Sequence, residues 1–342
     1  MTDMPLISII TPTYNHENYI AACIDSVLAQ TFPDWEMIIV DDASSDRTPA
    51  IVREYGKKDG RIRFCPHPSN WGKNHLADIY NEALGVALGK YVAVLEGDDY
   101  WPRGKLAIQS AALDAHPFAV LCHGRVALVS DRGTVRIPRY PWPASVRENQ
   151  PRGSAFQALL LGDNPFHSQT VMIRKKSLER VGGFKPDSFP SLATDYPTWL
   201  ELAFQGPFVF LPRILGYWRR YPTSVSFHHQ AELWTQHIEY TRLFLASHRS
   251  EWQSLGLPIR RCARYASCWA LLDLGKLKVM ARDFTGAGDI LGRLHPCRRL
   301  IFRNPSKALK FLTLRVCISA RKDIYKGLLR FSKKYKWYRG IS

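Results

Sequence analysis

The chain has 342 residues, of which 46% are hydrophobic, so a core can be buried in one large domain or two ordinary ones. This composition excludes the disordered, collagen-like and low-complexity classes. The formal net charge is +17, and residues 298–342 supply +13 of it, with 14 Lys and Arg against the single acid Asp323. Such a basic segment suits a polyanion, either a nucleic acid or an anionic membrane surface.

The cysteines and the N-terminus bear on the cellular compartment. The seven cysteines are odd in number and form no CxxC pair, so we expect free thiols in a reducing cytoplasm instead of a disulfide framework or a zinc knuckle. Residues 1–10 lack a basic region, so we expect no secretory signal. No run of 18 apolar residues predicts a spanning helix.

The first 120 residues alternate between strand and helix patterns. The four apolar runs of buried-strand type are Leu6–Thr11, Glu36–Val40, Arg61–Cys65 and Tyr91–Leu95. Amphipathic helical patterns separate them and begin near Ile20, Asp46 and Leu76. Strands and helices that alternate at this spacing predict a parallel, doubly wound α/β sheet.

Beyond Phe118 the pattern is less regular. We expect, in chain order, one or two strands in Phe118–Val129, a long loop over 131–153, a strand and helix in Thr170–Val181, a helix in Asp195–Phe204 and a strand in Phe208–Leu211. From about Gln230 the chain is expected to be helical. This organisation predicts a catalytic domain over residues 1–226 and a helical, strongly basic region over 227–342.

Pairs of acids follow two of the predicted strands. Asp41 and Asp42 end the second strand, and Asp98 and Asp99 come after the fourth. Ligands of open α/β sheets bind at the carboxyl ends of strands, and acids there are costly unless a cation or a hydrogen-bond donor meets them. Mg²⁺ and Mn²⁺ prefer carboxylate oxygens and keep positions for substrate phosphates. One pair alone is more often a polar strand end, but two pairs in one sheet favour a metal-assisted site.

A series of short motifs runs in order through residues 5–226. In the first half these are Ser8–Asn15 (SIITPTYN), Ser26–Phe32, Trp35–Asp46 (WEMIIVDDASSD), Asn70–Gly72, Gly89–Val92 and Asp98–Pro102 with Lys105-Leu106. In the second half they are Val171–Lys175, Val181–Phe184, Thr194–Tyr196 with Trp199-Leu200, and Gly216–Ser226 (GYWRRYPTSVS). The ordered set resembles the family 2 glycosyltransferases, whose catalytic domain has the GT-A fold.

The resemblance implies an architecture and an activity. The fold would be a GT-A type doubly wound mixed α/β sheet flanked by helices, here with a C-terminal helical extension. The enzyme would be an inverting, hexosyltransferase-like glycosyltransferase that uses Mn²⁺ or Mg²⁺ and a nucleotide-sugar donor, with a UDP-sugar favoured. The acceptor would be a hydroxyl of a saccharide or lipid-linked saccharide in bacterial cell-surface polysaccharide or glycolipid assembly. One base and no enzyme nucleophile imply a single displacement, hence inversion.

The resemblance implies donor-binding and metal-binding roles for individual positions of this sequence. Pro12, Tyr14 and Asp42 would line the nucleoside pocket, with Asp42 accepting a hydrogen bond from the base. Asp98 would lie near the ribose and the metal. Asp99 would ligate the metal that neutralises the diphosphate.

The second half of the motif set implies the base. Asp195 would be the general base that takes the proton of the acceptor hydroxyl, and Arg219 and Arg220 lie in the segment that often closes over the donor phosphates. Two positions depart from the family pattern. Glu96 stands where an Asp is frequent, and we expect it still to reach a ribose hydroxyl. Thr194 replaces the Glu that often precedes the base, so a supporting carboxylate is missing.

Three conspicuous side chains have both a functional and a structural interpretation. Most of the histidines are expected to be surface or core residues, and His167 is the one that best suits an acceptor contact. Trp101 and Trp199 flank proposed site residues and could stack on a sugar, but core packing is at least as good an interpretation.

Three other classes of protein compete with this interpretation. A dinucleotide-binding oxidoreductase lacks support because residues 11–15, after the first strand, contain no GxGxxG. A sugar nucleotidyltransferase lacks the Gly-rich basic loop which that chemistry usually needs. A non-enzymatic polyanion-binding protein is suggested by the basic tail, although no nucleic-acid motif is present and no nucleic-acid partner is expected.

The basic tail has a helical apolar pattern of its own. Leu309, Leu312 and Val316 recur at helical spacing, as do Ile324, Leu328 and Phe331. With the cationic residues of 298–342, this predicts basic amphipathic helices that dock on the inner face of the cytoplasmic membrane. The structural alternative is a solvated helical cap on the catalytic domain.

Overall fold

The structure is a computed structural model that describes residues 5–160, 164–185, 192–254, 259–297, 301 and 305–320. The chain divides into two compact units, one formed mainly by residues up to His228 and the other mainly by the helices from His229 onward.

A mixed eight-stranded sheet forms the centre of the first unit. Its strands are β1 (Ile7–Thr13), β2 (Trp35–Asp41), β3 (Ile62–Pro66), β4 (Tyr91–Val94), β5 (Leu121–Ser130), β6 (Val135–Arg136), β7 (Met172–Arg174) and β8 (Phe208–Arg220). The strand order is β3-β2-β1-β4-β7-β5-β6, and β8 pairs with β5. β1 is parallel to β2 and β4, whereas β7 is antiparallel to both β4 and β5. The predicted mixed α/β sheet is confirmed.

Helices cover the sheet of the first unit. They are α1 (Ile20–Leu28), α2 (Thr48–Lys58), α3 (Leu76–Val86), α4 (Lys105–Ala115), α5 (Ala144–Glu148), α6 (Ser154–Leu160), α7 (Lys175–Arg180), α8 (Asp195–Gln205) and α9 (Val225–His228). α1 shows why they form: Ile20, Cys23, Ile24 and Val27 recur at helical spacing and are all buried in one cluster with β1 and β2.

The first strand runs past Pro12, where the sequence predicted its end. The Pro12 carbonyl oxygen accepts from the Gly97 amide at 3.0 Å, so the backbone of Pro12 faces the β4 side. The β1–β4 ladder already ends at Ile10, and the missing N–H of the proline therefore breaks no ladder bond.

Two expectations for the later part of the sheet were wrong. The segment 131–153 is not all loop, because it contains β6 and α5. β8 does not end at Leu211 but continues to Arg220 along the whole of β5. A register shift between Gly124 and Val126 lets the strand pass Pro212, a residue that would interrupt a regular ladder.

The second unit is helical, which confirms the predicted C-terminal extension. Its helices are α10 (Gln230–Ser247), α12 (Ile259–Met280), α13 (Phe284–Leu294) and α14 (Pro305–Ala320). The short helix α11 (Arg249–Ser254) follows α10 in the chain but groups, except for its first residue, with the first unit. Its buried cluster includes Leu271, Leu272, Ile290, Phe311 and Leu314. Among the described helices, none is long and apolar enough to cross a membrane.

The expectation of free thiols was wrong for one pair of cysteines. Cys268 and Cys297 form a disulfide with a Cα–Cα distance of 6.5 Å, whereas Cys23, Cys65 and Cys122 are free. The two bonded cysteines lie 29 residues apart on different elements, and packing of the helices, not a sequence motif, brings them together.

The last described helix shows two different faces. Phe311 and Leu314 of α14 are buried, while Leu309, Leu312 and Val316 are 64%, 44% and 52% exposed. The first apolar triplet of the tail therefore lies on the surface. The second triplet, at 324, 328 and 331, lies outside the described residues.

Candidate active site

The carboxyl ends of β1 and β2 bring three of the predicted donor residues together. The Asp42 amide donates to the Thr13 carbonyl oxygen at 3.0 Å, which joins the residue after β2 to the end of β1. Pro12 lies in β1 and is buried, and Tyr14 directly follows the strand with 46% of its surface exposed. The three residues thus lie at one edge of the sheet, where open α/β folds bind ligands.

Asp42 is held by a network that the sequence did not reveal. Its Oδ1 accepts from the Trp71 amide at 2.8 Å and from His67 Nδ1 at 2.9 Å, and its Oδ2 accepts from the Gly72 amide at 3.1 Å. His67 Nε2 donates to Glu82 Oε2 at 2.7 Å. Burial lowers the pKa of His67, but the hydrogen bonds to Asp42 and Glu82 outweigh it and leave that pKa raised, which favours the imidazolium.

Trp71 supplies an aromatic surface beside this network. Its ring stacks on the His67 ring with centroids 4.0 Å apart, and 43% of the residue stays exposed. An exposed indole fixed by a charged neighbour and by a backbone bond to Asp42 is suited to stack on a planar ring.

An acidic cluster follows β4 and contains Glu96, Asp98 and Asp99. Burial raises the pKa of Glu96 to about 7. The hydrogen bond from Tyr80 lowers this pKa, whereas the charges of Asp98 and Asp195 raise it further. Burial, followed by the charges of Asp98 and Glu96, raises the pKa of Asp99 well above its ordinary value. These carboxyl groups repel one another, and a cation bound among them would relieve that repulsion.

Asp99 is anchored on both of its carboxyl oxygens. Oδ1 accepts from the Arg219 amide at 2.8 Å, and Oδ2 accepts from Gln169 Nε2 at 3.0 Å. Asp98 Oδ2 accepts from the Tyr221 hydroxyl at 2.8 Å, and the Asp98 carbonyl oxygen accepts from Arg219 Nη1 at 2.6 Å. The end of β8 is therefore tied to the acidic cluster by both backbone and side-chain bonds.

The Glu96 carboxylate is hydrogen-bonded to a side chain of α3. Its Oε1 accepts from the Tyr80 hydroxyl at 2.6 Å, so the extra methylene of Glu relative to Asp carries the carboxylate onto α3. The expectation that Glu96 reaches a ribose hydroxyl stays a prediction.

Asp195 begins α8, and its charge acts on the same cluster. Its Oδ2 accepts from Asn164 Nδ2 at 2.7 Å and its Oδ1 from the Tyr196 amide at 2.7 Å. Burial raises the pKa of Asp195, and the hydrogen bonds, including that from Asn164, oppose the shift. Asn164 thus supplies the polar support that Thr194 lacks.

A short segment, Asn164–Gln169, connects the two carboxylates. Its first residue bonds Asp195 and its last bonds Asp99. Two indoles brace it: Trp199 Nε1 donates to the Phe166 carbonyl oxygen at 2.7 Å, and Trp101 Nε1 donates to the Gln169 carbonyl oxygen at 2.8 Å. Both tryptophans are buried, so their structural interpretation is confirmed.

Arg219 and Arg220 point to opposite sides of β8. The Arg219 guanidinium lies over the rings of Tyr100 and Tyr19, at 4.6 and 5.4 Å from their centroids. The Arg220 guanidinium lies over the Trp218 ring at 5.1 Å. His167 faces the same tryptophan with centroids 5.5 Å apart, and burial, with a smaller contribution from Arg220, lowers its pKa to about 4.

The carboxylates of the acidic cluster are candidate ligands for a divalent cation. Among the residues that the structure describes, no three His, Cys, Asp or Glu side chains converge as a metal site. Asp98 and Asp99 are nevertheless adjacent in the acidic cluster, and burial together with the charges of Asp98 and Glu96 raises the pKa of Asp99. Mg²⁺ is commonly bound by one or two carboxylates together with water and substrate phosphates. The residues therefore fit a cation that binds jointly with a diphosphate.

Sequence reasoning missed the residues that hold the site carboxylates. Asn164, Gln169, Tyr221 and His67 bond to Asp195, Asp99, Asp98 and Asp42 respectively. The partners lie 31, 70, 123 and 25 residues apart, so no local spacing reveals them. The sequence feature that came nearest to revealing these partners was the polar segment around His167.

Comparison with known proteins assigns the family. The sequence model of the family described as "Glycosyl transferase family 2" matches residues 8–182. TuaG of Bacillus subtilis (strain 168), provisionally named as a teichuronic acid biosynthesis glycosyltransferase, is 35% identical over 204 residues, which are 59% of this chain and 73% of TuaG. WfgD of Escherichia coli, named as a UDP-Glc:alpha-D-GlcNAc-diphosphoundecaprenol beta-1,3-glucosyltransferase, is 31% identical over 198 residues, 58% of this chain and 69% of WfgD.

Solved structures agree on the fold. Residues 1–349 of S. aureus TarS, in complex with UDP-GlcNAc, match with a TM-score of 0.56 and 20% identity over 86% of this chain and 91% of that one. The mannosyltransferase PcManGT from Pyrobaculum calidifontis, in complex with GDP-Man and Mn²⁺, matches with a TM-score of 0.50 and 21% identity over 93% and 88% of the two chains. This chain belongs to glycosyl transferase family 2, and its first unit has the GT-A fold.

Proposed function

We propose that the protein is an inverting, metal-assisted glycosyltransferase that moves a hexosyl group from a UDP-sugar to a hydroxyl of a saccharide acceptor. The observation that carries this proposal is the Asn164–Gln169 segment, which holds Asp195 and Asp99 at its two ends. A carboxylate that accepts a proton and an acidic cluster that receives a diphosphate are thereby fixed relative to each other.

The donor would bind at the edge formed by β1 and β2. Pro12, Tyr14 and Asp42 line the nucleoside pocket, and Trp71 offers a ring on which the base stacks. UDP is favoured because WfgD is named for UDP-Glc and the TarS structure holds UDP-GlcNAc. Arg219, which donates to the Asp98 carbonyl oxygen, would meet the donor phosphates.

Asp98 and Asp99 would hold Mg²⁺ or Mn²⁺ together with the diphosphate. When bound, such an ion stabilises the negative charge that grows on the departing nucleoside diphosphate. Gln169 and the Arg219 amide keep Asp99 in one orientation, because each of its oxygens already accepts a bond. The chain thus supplies a preorganised carboxylate, which needs little rearrangement when the donor binds.

Asp195 would act as the general base. Its two oxygens accept from Asn164 and Tyr196, and the remaining lone pairs can take the proton of an acceptor hydroxyl. Burial raises the pKa of Asp195 above its ordinary value, which makes the ionised carboxylate a stronger base. With one base and no protein nucleophile proposed, the acceptor oxygen attacks the anomeric carbon directly and the configuration inverts.

The acceptor would be a lipid-linked saccharide of cell-surface polysaccharide or glycolipid assembly. This part of the proposal is supported by the names of WfgD, which acts on a diphosphoundecaprenol-linked sugar, and TuaG. The predicted catalytic domain, residues 1–226, would carry catalysis. The basic region over 227–342 would bring the enzyme to the membrane that holds the acceptor.

The exposed apolar stripe of α14 supports membrane docking. Leu309, Leu312 and Val316 are exposed, Arg315 lies among them on the surface, and Lys310 is instead paired with Asp273 at 2.6 Å. Residues 298–342 carry 14 Lys and Arg, and each of them that lies near an anionic cytoplasmic leaflet is worth about 1 kcal/mol.

The deciding experiment is a product analysis. The protein is incubated with Mn²⁺, each of several nucleotide sugars and a lipid-linked saccharide, and the products are separated by mass. Transfer releases a nucleoside diphosphate and lengthens the acceptor by one sugar. The sugar nucleotidyltransferase alternative predicts instead the exchange of pyrophosphate with a sugar phosphate and a nucleoside triphosphate, and that result would refute the proposal.

A further inference from the structure

Side chains that alternate between the two faces of β8 put Arg219 and Arg220 in different environments. Tyr217 and Arg219 face the acidic cluster, since the Tyr217 ring stacks on Tyr100 at 4.6 Å and Arg219 reaches Asp98. Successive residues of a strand point to opposite faces. Trp218 and Arg220 accordingly lie on the other face, where the ring of His167 meets Trp218.

Arg136 reaches the same face from the neighbouring strands. In the sheet register Leu128 of β5 pairs with both Arg136 of β6 and Trp218 of β8. Residues paired in register project from the same face, and adjacent strands lie about 4.8 Å apart. The Arg136 and Trp218 backbones are therefore about 10 Å apart, with both side chains on one face of the sheet. The charge of Arg136 lowers the pKa of Arg220, in addition to the larger effect of burial.

These two guanidinium groups carry positive charge without an acidic partner. In the part of the chain that the structure describes, neither Arg136 nor Arg220 has a carboxylate within ion-pair distance. Asp131 directly follows the β5 residue that pairs with Arg220. Its charge, however, raises the pKa of Tyr19, which lies on the Arg219 side of the sheet. A half-buried arginine beside a second arginine is unfavourable unless an anion binds between them.

The same face adjoins the proposed general base. His167, which touches Trp218, is three residues after Asn164, which bonds Asp195. Three residues span at most about 11 Å of chain. One short segment therefore bonds the proposed base and also contacts the face that carries the cationic pair.

We propose that Arg220 and Arg136 bind a negatively charged group of the acceptor, a phosphate or a carboxylate close to the sugar that is glycosylated. Trp218 is a positioning residue, which holds the Arg220 guanidinium over its ring. This inference rests on the proposed function and deepens it. It also separates Arg220 from Arg219, because the donor phosphates would meet Arg219 and the acceptor anion would meet Arg220.

The test uses three synthetic acceptors with the same terminal sugar. One is a neutral octyl glycoside, the second carries a phosphate diester between sugar and octyl chain, and the third carries a uronic acid carboxylate beside that sugar. The wild-type enzyme is expected to have a KM about tenfold or more lower for one charged acceptor than for the neutral one, as a charge-assisted hydrogen bond provides. The preferred charged acceptor identifies the source of the anion.

Arg220→Gln is expected to abolish this preference. The KM for the charged acceptor should rise about tenfold or more, while the KM for the donor and for the neutral acceptor stay within about twofold. Arg220→Lys should retain part of the preference, because it keeps the charge but loses the planar fork. Arg136→Gln, at an exposed position, should weaken the preference without a risk to folding. Arg213→Gln, an exposed arginine earlier on β8, is the matched control and should change nothing.

Two results would overturn the inference. One is equal KM values of the wild-type enzyme for all three acceptors, and the other is a rise in the donor KM of Arg220→Gln with an unchanged acceptor KM. Failure of the proposed function has a different signature, namely neither donor hydrolysis nor sugar transfer by the wild-type enzyme with any acceptor.

Discussion

Asn164 donates a hydrogen bond from Nδ2 to Oδ2 of Asp195 at 2.7 Å, across 31 positions of the chain. The bond favours the ionised carboxylate and so acts against burial, which raises the pKa of Asp195. The protonation state of the proposed base therefore depends on a residue from the segment that also holds Asp99.

Asn164→Leu is expected to shift the pH profile of the enzyme. Loss of the donated bond removes an influence that lowers the pKa of Asp195, so the pKa rises further and the base stays protonated up to a higher pH. The acidic limb of kcat/KM should accordingly move to higher pH, while the KM for the donor is unchanged. The measurement is kcat/KM for the acceptor between about pH 5 and 9. A uniform loss of activity with the limb in place would show that Asn164 only supports the local fold.

Asp195→Asn tests the base directly. The change is nearly isosteric but removes the group that accepts the proton, so turnover should fall about 10²–10⁴-fold, the usual worth of a general base. Binding of UDP, followed by calorimetry, should stay within a few-fold. An equal loss of UDP binding and turnover would make Asp195 a structural residue. NMR of the wild-type product should show the anomeric configuration opposite to that of the donor, and retention would refute the single displacement.

Asp99→Asn tests the acidic cluster. Turnover should fall by about a hundredfold or more, comparable to the loss of one major charge-stabilising group. Folding should survive, because the substitution removes one of several buried acids that repel each other. The measurements are transfer with Mn²⁺, transfer with EDTA, and the thermal unfolding midpoint. Asp114→Asn, at an exposed acid on α4, is the matched control and should leave transfer unchanged. Full activity of Asp99→Asn in EDTA would rule out the proposed metal role.

The strands of the fold could be predicted where burial leaves a clear sequence pattern. β1, β2 and β4 are buried on both faces, and they read as apolar runs whose limits were close to those observed. β3 was also predicted within about one residue, although only its first residue, Ile62, is buried. The later part of β8 could not be predicted, because Pro212 and Arg213 interrupt its pattern at the register shift. β6 consists of two exposed residues, Val135 and Arg136, and has no apolar signal.

The site was predictable where one type of side chain concentrates in the sequence. Asp98 and Asp99 stand together after a buried strand, and chemistry alone suggests a cation for them. The partners of the site carboxylates were not predictable in this way. Gln169 meets Asp99 across 70 residues because β7 and β8 bring the segment before β7 to the end of β4. Such pairs depend on sheet order, which single-residue patterns do not contain.

The basic tail is expected to bind anionic membranes. The protein should co-sediment with liposomes that contain an anionic lipid, less at high salt and not with neutral liposomes, because the attraction is screened within about 10 Å at 0.1 M ionic strength. Deletion of residues 298–342 is a poor test, since it removes Phe311 and Leu314 from the buried cluster of the second unit. A truncation after Ala320 instead removes residues 321–342, with eight of the 14 cations of the tail, and keeps α14. It should weaken co-sedimentation while donor hydrolysis persists.

The contribution of the apolar stripe is separable from that of the charge. A triple substitution of Leu309, Leu312 and Val316 by Gln keeps every charge, and it should weaken binding because these exposed side chains would otherwise be buried in the bilayer interface. The matched control substitutes Val135 and Ile137, exposed apolar residues of the first unit, by Gln and should leave binding unchanged. If the full-length protein ignores anionic liposomes at low salt, the tail does not anchor the enzyme. If truncation abolishes binding and the triple variant binds as the wild type does, residues 321–342 make the attachment and the exposed stripe of α14 takes no part in it.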